Sequence, residues 1–115
     1  MSLTTEIATL LTSQTSVYIG SIPATPDNIV AIFLTGGFPR DMSGTLVEEP
    51  TFQIRVRNAS AATGETVCNT VKDLLHGKSS AAVLMIQQQG DILSLGRDEK
   101  NRSEWSMNFR CYYRR

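Results

Sequence analysis

Hydrophobic and polar positions change period within one stretch of the chain, Pro50 to Gly77. Up to Arg57 they alternate: Phe52, Ile54 and Val56 point one way while Gln53, Arg55 and Arg57 point the other, the period of two of a half-buried strand. Further on, Val67, Cys68, Val71, Leu74 and Leu75 recur at steps of three and four and fall on one face of a helix. A strand feeding an amphipathic helix is predicted. Asn58 and Ser60 offer N-cap oxygens, Gly77 offers the left-handed position past the end, and His76 sits in the last turn, where the free carbonyls favour it. Gly64 costs about 1 kcal/mol relative to Ala inside a helix, so the regular helix is expected to begin near it. Truncating Leu74 to Ala is expected to cost roughly 2–5 kcal/mol if that face is covered by a sheet.

The flanking segments read in the same way. Leu3, Ile7, Leu10 and Leu11 share one helical face, with Ser2 or Thr4 available as a cap, so a short helix ending before Ser16 is predicted. Two apolar, β-branched runs follow, VYIGSIP and NIVAIFLTGG, separated by the turn residues Ala24 to Asp27, a pattern that predicts a hairpin. Ile29 to Leu34 is apolar throughout, as in a strand covered on both faces. From Thr35 to Glu49 the period is lost and Gly36, Gly37, Pro39 and Gly44 accumulate, which predicts a connection much longer than the usual ~4–6 residues. It carries Phe38, Met42, Leu46 and Val47, apolar groups that serve either a partner-binding arm or a loop folded back on its own domain. Ala81 to Gln88 reads as a strand, Gln89 and Gly90 as a turn, Asp91 to Gly96 as a further strand, and Arg97 to Arg102 as a charged turn. The last element is the longest clean alternation, with Trp105, Met107, Phe109, Cys111 and Tyr113 on one side. Together these predict one α+β domain over residues 1–115, with an antiparallel or mixed sheet of about five to six strands and two helices packed on one face.

Composition narrows the function. The 115 residues suffice for one core, and eleven basic side chains cancel eleven acidic ones, leaving no net field to draw the protein to nucleic acid. No apolar run approaches the ~20 residues of a membrane span, so no membrane partner is expected. The N-terminus lacks a basic region and a small-residue cleavage site, so the chain is expected to stay in the cytoplasm where it is made. Cys68 and Cys111 fall on apolar faces and read as buried reduced thiols. The single histidine, His76, has no nucleophile near it, the Gly36-Gly37 pair lacks the Gly-Lys-Ser/Thr of a phosphate loop, and Glu48-Glu49 reads as a solubilising strand end. No catalytic residue, metal or cofactor is therefore expected. Arg55 and Arg57 on one predicted strand and Arg110, Arg114 and Arg115 on another read as a solvated or salt-bridged face, or one that meets an acidic patch of a neighbouring subunit. Tyr112 is the lone aromatic among them, too few for a nucleic-acid platform.

The strand Pro50 to Arg57 has the form Pro-x-(aromatic)-Gln-(apolar)-x-(apolar)-Arg, the helix ends Leu-Leu-His-Gly at Leu74 to Gly77, and the chain closes on the aromatic strand Trp105 to Tyr113. In this order of elements the chain resembles the small tail-terminator and minor capsid, or tail-completion, proteins of long-tailed bacteriophages, among them the phage lambda terminator. The resemblance implies a structural virion protein without enzymatic activity, assembled as a ring, by expectation a hexamer, that caps the tail tube, ends its polymerisation and provides the head-docking surface. Its partners would be further copies, the tail tube protein and a head-completion or connector protein, with DNA passing non-specifically through the channel at most. Phe38, Arg40, Asp41, Met42, Leu46 and Val47 are the candidate subunit interface, and Arg55 and Arg57 the candidate channel-facing or tube-facing residues. A head-completion or neck-connector role, or a monomeric adaptor domain, are the alternatives.

Overall fold

A computed structural model describes residues 3–14, 16–38, 47–80 and 83–114 of the chain. The elements run α1 (Leu3–Leu10), β1 (Val17–Ile19), β2 (Ile29–Phe38), β3 (Val47–Asn58), α2 (Ala61–Leu75), β4 (Val83–Arg97) and β5 (Ser103–Arg114). The five strands form one sheet in the order β1-β2-β3-β5-β4, and both helices pack on the same face, so the fold is α+β with a mixed sheet. Alternation in β3 and β5 decides which face that is: Phe52, Ile54 and Val56 lie opposite Phe109, Met107 and Trp105, and all six are buried. The Phe52 and Phe109 rings stack across the pair with centroids 5.3 Å apart. Leu3, Ile7 and Leu11 from the first helix region and Cys68, Val71 and Leu75 from α2 close the core over them. Leu74, at the margin of that stripe, is only half-buried, so the full cavity cost expected there belongs to Leu75.

Helix α2 starts at Ala61, earlier than its glycine suggested. The Ser60 hydroxyl accepts from the Thr63 N–H at 3.3 Å, capping one orphan donor of the first turn, and the Asn58 side chain accepts from the Ser60 N–H at 2.9 Å. Gly64 lies inside the helix because the Trp105 ring occupies the space a Cβ would need, and the Asn58 Cβ would stand 2.9 Å away on another side. Glycine here permits a close approach of helix to sheet. At the far end His76 is the C-cap and Gly77, at φ 75°, takes the predicted left-handed position.

Three expectations from the sequence change in the structure. β1 and β2 do not form a hairpin: they pair in parallel, Val17 with Val30 and Ile19 with Ile32. A period of two is the same in either direction, and the return over residues 20–28 is held by arginines far away in sequence. The predicted turn at Gln89-Gly90 is a bulge within one continuous strand, β4, which pairs with β5 on both sides of it. Gly90, at φ 74°, meets the same backbone demand that a turn would make. The long loop expected over 35–49 is shorter, because β2 runs on to Phe38 and β3 begins at Val47, with Gly37 paired to Pro50 and Phe38 to Glu49. Glycines and a proline hide strand character from a pattern of apolar positions. Ile29 to Ile32 are each no more than 2% exposed, as expected of a strand covered on both faces, but Leu34 is 59% exposed.

Candidate assembly surfaces

Of the residues expected to bind a neighbour, two are described, and they lie at the end of the β2–β3 pair. Phe38 ends β2, and Val47, half-buried, opens β3 opposite Arg114. Arg40, Asp41, Met42 and Leu46 lie outside the described residues.

Arg55 and Arg57 share the face of β3 away from the helices, yet they do not form a solvated basic row. Arg57 is 4% exposed. Its Nε donates to the Asp27 carbonyl at 3.1 Å, and its terminal nitrogen donates to the carbonyls of Pro23 and Pro26 at 2.6 and 2.7 Å. These bonds draw the 20–28 return over the uncovered face. Burial, followed by the nearby Arg102 charge, lowers the Arg57 pKa from its ordinary value. Arg102 completes the clamp: it donates to the Ala24 carbonyl at 2.6 Å, reaches Asp27 at 3.3 Å and binds Asp98 at 2.7 Å. The clamp escaped a reading of period because most of its acceptors in the 23–27 return are main-chain carbonyls, which carry no side-chain signature. Arg55 is half-buried and 3.5 Å from Glu104 on β5. Near it Gln53 donates to Asn108 at 3.3 Å and the Thr35 and Thr51 hydroxyls lie 2.8 Å apart.

The outer side of β4 divides into two halves. The first half is sealed by the chain that leaves α2: the Gly77 N–H donates to the Ile86 carbonyl at 2.7 Å, the Ile86 N–H to the Lys78 carbonyl at 3.1 Å, and the Ser80 N–H to the Val83 carbonyl at 2.8 Å. His76 adds its Nδ1, which accepts from the Gln88 N–H at 3.0 Å. Beyond the bulge no strand or segment among the described residues pairs with that side. Leu93 and Leu95 stand 58% and 42% exposed there. Between this half-strand and α2 lies an open groove of about 850 Å³, with Trp105 in its floor and a Lys72–Asp91 ion pair at 3.6 Å across it. Sequence reasoning placed a turn at Gln89-Gly90 and read two strands there, so it did not show one strand whose edge continues past the bulge.

Burial pushes both thiols up to about 12, with the Glu65 charge adding to Cys68 and the Glu6 charge to Cys111, so neither is a thiolate near neutrality. No helix among the described residues is long and apolar enough to cross a membrane.

Comparison with known proteins places this geometry. Residues 6–115 match the family described as bacteriophage tail terminator protein. Among solved structures, a chain in the virion of a native gene transfer agent particle superposes with a TM-score of 0.61 at 22% identity, covering 95% of this chain and 84% of that one, a likeness of fold. No protein of curated function matches. With the family match running from within α1 through α2 and the five strands, the chain belongs to the bacteriophage tail terminator family and is a structural protein of the phage tail.

Proposed function

We propose that the protein acts by closing into a ring, by expectation of six copies, which caps the finished tail tube, ends its polymerisation and offers the surface to which the filled head docks. The observation that carries this reading is the family match over 6–115, nearly the whole chain. A head-to-tail contact repeated about an axis must close or grow without limit, and termination requires the closed form. The tip at Phe38 and Val47, with Arg40, Asp41, Met42 and Leu46 between them, supplies one side of the contact. The helix-free face turns toward the channel. There the pairing of Arg55 with Glu104 supports passage of DNA without retention, since a pair of opposite charges presents little net attraction to phosphate. Arg57 has no part in that lining; its charge is spent on the 23–27 carbonyls. The tail tube protein meets one rim and a head-completion protein the other, with assembly in the host cytoplasm.

Electron microscopy of tail tubes incubated with the purified protein tests the proposal. Density at one tube end, and tubes that no longer elongate when tube protein is added, are expected. Tubes that elongate unhindered, with no density at either end, would refute it, and binding to filled heads alone would move the protein to the neck.

A further inference from the structure

We infer that successive copies join by continuing the sheet: the open half of β4 in one copy pairs with the open half of β2 in the next. The inference rests on the ring proposed above and names the contact that builds it. A monomer normally shields its strand edges with short strands, lysines, prolines or covering segments, because unpaired N–H and C=O groups recruit other strands. Among the described residues this sheet shields most of its boundary in that way and leaves two stretches without a strand partner. On one side β1 pairs only with Val30 to Ile32, and the Gly20 N–H extends the cover to the Ile32 carbonyl; beyond that point nothing among the described residues pairs with Leu34 to Gly37. On the other side the 77–80 segment seals β4 through Ile86 and His76 extends the seal to Gln88; no strand among the described residues pairs with the outer side of Ile92 to Arg97, where only local side chains meet the backbone, Asp91 accepting from the Ile92 N–H at 2.7 Å and Ser94 from the Gly96 N–H at 3.4 Å. Neither bare stretch contains a lysine or proline, and each carries exposed leucine, Leu34 on one and Leu93 and Leu95 on the other.

The two stretches fit one another in direction and place. β2, β3, β5 and β4 alternate in sense along the sheet, so β4 runs opposite to β2. A copy related by rotation keeps that sense, and its β2 meets β4 as an antiparallel neighbour, the better of the two ladders. The bare part of β4 lies toward Arg97 and that of β2 toward Phe38, which are opposite ends of the sheet. Pairing them therefore offsets consecutive copies along the strands. Such a stagger, accumulated around a circle, is what closed arrangements of tilted strands require. The contact is heterologous: each copy uses a different edge toward each neighbour.

Mixing of edge-blocked chains tests it. Leu93→Lys/Leu95→Lys blocks the β4 edge and Leu34→Lys the β2 edge; sedimentation from micromolar to millimolar concentration gives the mass, with circular dichroism as the check on folding. The wild type is expected to reach ring mass, each variant alone to remain at monomer mass, and an equimolar mixture of the two to stop at twice the monomer mass, through the one intact pair of edges. Wild-type rings with variants that also form rings would overturn the edge assignment and leave the ring standing. A wild type that stays monomeric throughout would overturn both. Should the lysine variants lose their circular dichroism, Leu93→Ser/Leu95→Ser and Leu34→Ser carry the same expectations and the same refutation.

Discussion

Replacing Gly64 by Ala sets two effects of known size against one another. Helix propensity alone favours the substitution by about 1 kcal/mol, since Gly is the poorest ordinary residue in a helix interior. Against it stands the contact with β5: the added methyl would overlap the Trp105 ring and lie 2.9 Å from the Asn58 Cβ, so neither neighbour can yield without disturbing the helix start or the core floor. Overpacking of this kind typically costs 1–3 kcal/mol, and with contact on two sides the upper part of that range applies. The net expectation is a loss of about 1–2 kcal/mol, or a fall in melting temperature of roughly 4–8 °C for a domain of this size. Urea unfolding followed by far-UV circular dichroism is the assay, because Trp105 fluorescence would report on the perturbed group itself. Adding the change on a Trp105→Leu background, where the ring is gone, should restore the propensity gain, giving a coupling of about 2 kcal/mol or more between the two positions. A Gly64→Ala protein as stable as the parent, or more stable, would refute the packing of α2 onto Trp105 and place the helix start later in the chain.

Leu75→Ala is expected to lower stability by about 2–5 kcal/mol and Leu74→Ala by clearly less, since Leu75 is fully buried and Leu74 only in part; paired urea titrations decide the order. Arg57→Lys keeps the charge but presents one nitrogen in place of a guanidinium that spans three carbonyls, so a loss of about 1–3 kcal/mol and faster amide exchange across 20–28 are expected. Asp98 is held below the ordinary carboxylate range, first by the Arg102 N–H and then by the Arg102 side chain. A carboxyl whose folded pKa is depressed stabilises the fold above its unfolded value, about pH 4, and that contribution is lost as pH falls through the folded value. Asp98→Asn should therefore be less stable at neutral pH and show a flatter decline in acid, measured by unfolding across pH 2–7.

Much of the architecture was legible because period and burial agree. The switch from alternation at Phe52–Val56 to three- and four-residue steps at Val67–Leu75 located β3 and α2, and the aromatic alternation of β5 named the residues that form the core floor. What escaped depends on contacts distant in sequence. The parallel pairing of β1 is stabilised by guanidinium groups on residues 57 and 102 reaching carbonyls at 23–27, a relation no local window contains. The burial of Arg57 has the same origin: alternation put Arg57 on the face away from the helices, but only the fold brings a loop across to cover it. At Gly90 the backbone demand was read correctly and its context was not, since a left-handed residue serves a turn and a bulge equally.

The cover over the first half of β4 is made almost wholly by peptide groups of residues 77–80, with a single imidazole beside them. Genetic drift in the identities of Lys78 and Ser79 therefore leaves that half blunted, whereas inserting or deleting one residue there would shift every donor past its acceptor. The spacing between Leu75 and Val83 thus acts as a ruler, setting how many rungs of β4 stay closed to other chains and how many remain open.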